Sequence, residues 1–130
     1  MRSFLDFLRE SHSSGKLAFR TRKERTDFGH AIHFDAKQGR FALYWYDDDL
    51  SKIYLSNVDI WKDYRGIGLG TILLSRALEE AKKLSQQHGF KSILLNCRKD
   101  SFVHSWYQRN GFEDYKPKDR QHVWIERKIR

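Results

Sequence analysis

The chain has 130 residues, 39% of them apolar and 32% charged, with a formal net charge of +8. Nineteen aromatics (4 Trp, 6 Tyr and 9 Phe) and this length suit one domain with a buried core and exclude a disordered polyelectrolyte. No apolar run approaches the roughly twenty residues that cross a bilayer, so no membrane partner is expected.

Other global features narrow the class. Met1-Arg2-Ser3-Phe4 continues into Asp6 and Arg9-Glu10, so a signal peptide's apolar stretch does not form. The single cysteine, Cys97, leaves no internal disulfide framework and fits a reducing compartment. We therefore expect one cytoplasmic domain over residues 1–130. The charge is uneven, with 12 Lys/Arg against 10 Asp/Glu in residues 1–65 and 13 against 7 in residues 66–130. Such a field attracts a polyanion, or is simply a soluble basic surface.

In chain order, Ser3–Glu10 has apolar residues at 4, 5, 7 and 8, consistent with a short helix that Ser11-His12-Ser13-Ser14-Gly15 ends. Leu17–Arg20 reads as a brief strand and Arg20–Asp27 as an exposed loop. Ala31–Phe34 and Phe41–Tyr46 are strands joined across Ala36-Lys37-Gln38-Gly39. Tyr44, Trp45 and Tyr46 on one strand would cover a core or a homodimer interface. Between Lys52 and Ile60, the pairs Ile53/Leu55 and Val58/Ile60 both suit an inward face but are out of phase. One extra residue near Ser56-Asn57, a β-bulge, reconciles them.

From Thr71 to His88 the period turns helical, with Leu74, Ala77, Leu78, Ala81 and Leu84 in one stripe and Gly89 as a stop. Ser92–Cys97 suits a central strand and Ser101–Asn110 a second helix ending at Gly111. Phe112–Lys116 and Gln121–Lys128 close the chain as a hairpin. Strand 52–60, helix 71–88 and strand 92–97 form a crossover, so those strands should be parallel. The expected fold is a single-domain α/β structure with a mixed, mostly antiparallel sheet around a central parallel βαβ unit.

The chemistry concentrates at Tyr64-Arg65-Gly66-Ile67-Gly68-Leu69-Gly70-Thr71, between a strand and the long helix. A glycine-rich turn opening a helix is either a tight connection or an anion cradle built from first-turn amides. The pattern Arg65-x-x-Gly68-x-Gly70, followed by a helix, a strand and Trp106-Tyr107-Gln108-Arg109-Asn110-Gly111-Phe112, resembles the GCN5-related N-acetyltransferase (GNAT) superfamily over residues 51–116. The first element is similar to that family's Gln/Arg-x-x-Gly-x-Gly/Ala acyl-CoA signature. The second is similar to its F-Y-x-x-x-G-F element, with Trp106 in place of Phe.

The resemblance implies an acyl-CoA N-acyltransferase fold and acetyl-CoA as cosubstrate, with no metal. The amides of Gly66, Ile67, Gly68, Leu69, Gly70 and Thr71, with Arg65, would hold the pyrophosphate. Backbone groups of Val58 and Ile60 would hold the pantetheine arm, and an amide there would stabilise the oxyanion. Tyr107 would protonate the departing thiolate; the alternative is that it packs the second helix, as Trp106 does. Several relatives carry a glutamate base on the bulged strand where this chain offers Ser56, Asn57 and Asp59, so Asp59 is the candidate base, directly or through water, or else faces solvent. Asp100 stands where many members carry a cofactor-contacting asparagine.

Remaining residues read more plainly. Cys97 lacks an adjacent His or Asn to activate it and suits a buried structural role. His30 and His33 would face opposite sides of a strand and share no metal. His104, one turn before Tyr107, would line the site or, the preferred reading, take a surface position. Two other functions stay open: a catalytically inert acyl-CoA-binding relative, and a basic nucleic-acid-binding module prompted by Lys116-Pro117-Lys118-Asp119-Arg120. Against the latter, basic and acidic residues alternate and no nucleic-acid motif appears, so specific binding is not expected. The acceptor amine, a small molecule, peptide or protein, is not legible.

Overall fold

Alternating apolar residues build most of the sheet. In β3 (Gly39–Tyr46), Phe41, Leu43 and Trp45 are buried while the residues between them are not, and β2 (Gly29–Asp35) buries Ile32 and Phe34 beside them. The computed structural model describes residues 17–56 and 58–129. The helix expected over Ser3–Glu10, and Asn57 of the expected bulge, lie outside the described residues.

After β1 (Arg20–Arg25), β2 and β3 come β4 (Asp49–Leu55), β5 (Asp59–Ile60) and a 3-10 turn (Lys62–Tyr64). Helix α1 (Leu69–His88), β6 (Ser92–Arg98), helix α2 (Phe102–Arg109), β7 (Glu113–Pro117) and β8 (His122–Lys128) follow. The sheet order is β1-β2-β3-β4-β6-β8-β7, with β5 paired to β3. Among the described residues only β4 and β6 pair in parallel; every other ladder is antiparallel. The fold is thus the mixed, mostly antiparallel α/β sheet expected, with its parallel crossover.

The first strand is shifted: Leu17–Phe19, expected within a brief strand over Leu17–Arg20, precede β1 and belong to no strand. Arg20–Arg25, read as an exposed loop, is an edge strand in full register with β2, and all six residues are exposed. An edge strand of charged side chains carries no apolar signal, and the charges discourage pairing with other chains.

Both helices cover one face. Leu73, Leu74, Ala77 and Ala81 of α1 join Tyr107 of α2, Ile53 and Leu55 of β4, Ile93, Leu95 and Cys97 of β6, and Val123 and Ile125 of β8 in one cluster. On the opposite face Tyr44 stacks on Tyr54 (5.3 Å between centroids), and Tyr54 meets Trp124 edge-on at 5.7 Å. Trp45 instead enters the core beside Phe90.

The single extra residue is present. Leu43 pairs with Leu55 but Arg40 pairs with Asp59, so three steps along β3 face four along the other strand. Ser56 manages the irregularity: its N–H donates to the Ala42 carbonyl (2.9 Å), and its Oγ accepts from the Ala42 N–H (2.7 Å). Past this point the chain breaks into a separate strand, β5, so 52–60 is two strands rather than one. Gly39 is required opposite it, since a Cβ there would collide with the Asp59 carbonyl.

The bulge has a consequence across the sheet. The β4–β6 ladder ends at Tyr54–Leu94, although β6 continues to Arg98 against β8. β5 has turned to β3. The two parallel strands therefore part at their C-terminal ends, which leaves an opening through the sheet.

Candidate active site

The opening is one side of a cleft of about 860 Å³ between β5, β6, the start of α1 and α2. Such crevices, beyond the carboxyl ends of parallel strands, are where α/β sheets commonly bind ligands. Of the residues expected in the site, all but Ile67, Leu69 and Asp100 line it. Leu69 is 1% exposed and packs its side chain into the core. Asp100 is exposed, with a positive φ of 58°, and its N–H donates to His104 Nδ1 at 3.0 Å.

The glycine turn is shaped by sterics. Gly66 and Gly68 have φ of 84° and 81°, the left-handed region that disfavours side chains. Gly68 is the N-cap of α1, offers no side-chain cap, and no acidic residue follows in the first turn. The positive end of the helix and its first amides thus face the cleft uncompensated. Gly70 lies against the Trp106 ring: a Cβ there would stand 3.5 Å from it. Arg65 Nε donates to the Ile60 carbonyl (2.9 Å), tying this turn to β5.

Tyr107 enters from α2. Ser101 caps that helix by accepting the His104 N–H at 3.1 Å, and Trp106, Tyr107 and Phe112 pack ring against ring. Tyr107 is 1% exposed, and its hydroxyl oxygen accepts the Val58 N–H at 3.4 Å. Burial pushes the phenol up to about 12, against a smaller lowering by that amide. Cys97 lies on the same side, buried, its thiol also pushed up by burial.

Asp59 lines the cleft from the face opposite α1 and α2. Its register partner is Arg40, whose Nε stands 3.5 Å from the carboxylate. His104 departs from its expected surface position: it is 4% exposed, with Nε2 2.7 Å from Asp114 Oδ1. The carboxylate of β7 draws the ring inward and fixes α2 to the hairpin. Asp114 is held below the usual carboxylate range chiefly by that bond.

Two features were missed in the sequence. Phe102, 78% exposed, forms an apolar rim. His122, at the start of β8, lines the cleft, and its Nδ1 stands 3.0 Å from Asp119 Oδ1. The signal was an Asp three residues before a His at a strand entrance, in the alternation phase opposite Val123. Among the described residues no group of three or more His, Cys, Asp or Glu is arranged to hold a metal. Likewise, no helix among them is long and apolar enough to cross a membrane.

The chain belongs to the GNAT acetyltransferase family: the model of the acetyltransferase (GNAT) domain matches residues 27–114, more than half of its length. The fold is similar to that of an acyl-CoA N-acyltransferase from Pseudomonas aeruginosa (TM-score 0.60, 20% identity, covering 76% of this chain and 68% of that one). It is also similar to PaiA N-acetyltransferase from Thermoplasma acidophilum, solved with coenzyme A (TM-score 0.57, 20% identity, 95% and 68%). A third is the ribosomal-protein-S18-alanine N-acetyltransferase from Escherichia coli (TM-score 0.57, 18% identity, 81% and 72%). At these identities the likeness is one of fold. No curated protein matches the sequence.

Proposed function

We propose that this protein transfers the acetyl group of acetyl-CoA directly to a primary amine. One observation carries the reading: the uncapped glycine turn and the buried Tyr107 hydroxyl line the same cleft, at the opening where the two parallel strands part. The amides between Gly66 and Thr71 and the Arg65 charge suit a pyrophosphate. The pantetheine arm would lie in the opening, where Val58 N–H and Ile60 C=O would exchange their bonds to Tyr107 and Arg65 for bonds to the ligand.

The carbonyl of the thioester would then meet an amide of the β5 segment, which stabilises the oxyanion of the tetrahedral intermediate. Tyr107, protonated throughout the physiological range, gives its proton to the departing thiolate. Asp59, on the face opposite α1 and α2, adds negative charge where a cationic amine would approach. Asp100, exposed and beside the start of α2, would contact the cofactor only outside the cleft.

The test is acetyl-CoA-dependent release of free thiol with a panel of primary amines. Amine-dependent release is expected. Tight acetyl-CoA binding without release for any amine would identify an inert acyl-CoA-binding relative instead. Nucleic-acid binding is disfavoured because basic residues alternate with acidic ones along the chain instead of forming a stripe, and several are paired, as Arg25 with Asp47, Arg40 with Asp59 and Arg76 with Glu80.

A further inference from the structure

The acyl-transfer reading leaves one proton without a destination. An ammonium acceptor must lose it before its nitrogen can attack. Two side chains at the cleft mouth are able to accept it, Asp59 and His122.

His122 has the better construction for that task. Strand alternation puts Val123 and Ile125 in the core with Tyr107, and so turns His122 and Trp124 to the face opposite α1 and α2. The opening in the sheet connects the two faces, and residues of both line one cleft. The imidazole is held in a fixed orientation. Asp119 accepts the backbone N–H groups of Gln121 and His122 at 2.8 Å each, and its Oδ1 and Oδ2 stand 3.0 and 3.2 Å from Nδ1. With Nδ1–H donated to the carboxylate, the lone pair resides on Nε2. Among the described residues Nε2 has no hydrogen-bond partner. Asp59, by contrast, is already paired with Arg40.

We infer that His122, oriented by Asp119, is the general base that deprotonates the acceptor amine, on the face of the sheet opposite the acid Tyr107. This rests on the acetyl-transfer reading. Nε2 takes one proton from the ammonium, and the freed lone pair forms the C–N bond as the carbonyl electrons move to oxygen. When the oxyanion collapses, the C–S bond breaks and the thiolate takes the phenolic proton of Tyr107. The second amine proton returns to the phenolate, and His122 releases its proton to water. One proton is released per acetyl group transferred.

The charged groups around His122 are Asp119 in its own turn, Arg98 opposite on β6, Lys118 before it, and Asp59 across the cleft.

The experiment compares two acceptors, n-butylamine and O-methylhydroxylamine, over pH 6 to 9 after subtraction of the rate without protein. The first is almost wholly protonated there, whereas the second is already neutral and needs no base. His122→Gln should lower kcat/KM for n-butylamine about 100-fold and remove the acid limb. It should leave transfer to O-methylhydroxylamine within threefold of wild type, and acetyl-CoA affinity within twofold. Asp119→Asn, which keeps an oxygen for the two backbone amides, should cost about tenfold with n-butylamine and move the acid limb to lower pH. Equal losses with both acceptors, no loss, or a selective loss in Asp59→Asn instead would overturn the assignment to His122. Wild-type protein that binds acetyl-CoA but transfers to neither amine would overturn the acetyl-transfer reading itself, and this inference with it.

Discussion

The Tyr107 hydroxyl accepts a hydrogen bond from the Val58 amide at 3.4 Å, joining the second helix to the strand break across the cleft. That contact is long for an N–H···O bond, and it joins the candidate acid to an amide that would face the thioester carbonyl. A ligand carbonyl arriving at Val58 would displace the phenol, leaving its proton free to point at sulfur.

Tyr107→Phe tests the acid directly. The ring packing with Trp106 and Phe112 is retained and only one weak bond is lost, so the fold should survive. Thiol release should fall about 100-fold while acetyl-CoA affinity stays within twofold. Unchanged turnover would remove Tyr107 from the chemistry.

The same residue sets an alkaline limit on stability. Its folded phenol titrates at about 12 against an ordinary value of 10.0, so between those limits the folded state keeps a proton that the unfolded state loses. Stability should therefore decline as pH rises from about 10 to 12. Denaturant melts of Tyr107→Phe at pH 9 and pH 11 should show a smaller decline than wild type.

Gly68 and Gly89 make a controlled pair. Both have left-handed backbone, φ 81° and 82°, one capping each end of α1. Alanine at either position should cost about 1 kcal/mol through backbone strain. Only Gly68→Ala should also weaken acetyl-CoA binding, by tenfold or more. Calorimetric titration of both variants would separate the effects, and equal affinities would show that the turn is merely a connection.

Ser56→Ala probes the bulge. Without Oγ the Ala42 N–H loses its acceptor at a partly buried position, a loss of about 1–2 kcal/mol. Thermal unfolding should show it, and turnover should fall too, because the irregularity is what turns β5 away from β6.

Much of this architecture was readable in the residues. The phase conflict between Ile53/Leu55 and Val58/Ile60 demanded one extra residue, and the paired registers contain it. Edge strand β1 was not readable, because Arg-Thr-Arg-Lys-Glu-Arg buries nothing and pairing to β2 alone makes it a strand. His104 was misread as a surface residue for a related reason. Its burial depends on Asp114, ten positions away, which only the folding of β7 beneath α2 brings within 2.7 Å. His122 was overlooked because its meaning depends on which face of β8 meets the opening, a property of the whole sheet.

An open sheet ordinarily has two edges, one at each side, and this one has two more inside the molecule where the β4–β6 ladder stops at Tyr54–Leu94. Each interior edge faces the other across the opening instead of lying at the border of the sheet. The molecule thereby keeps backbone hydrogen-bonding groups available at its centre without the aggregation hazard that free edges bring. The amides of Asn96 and Arg98 on one side and of Val58 and Ile60 on the other, which the β6–β8 and β3–β5 ladders leave facing the gap, should be the first to gain hydrogen-exchange protection when a ligand closes it.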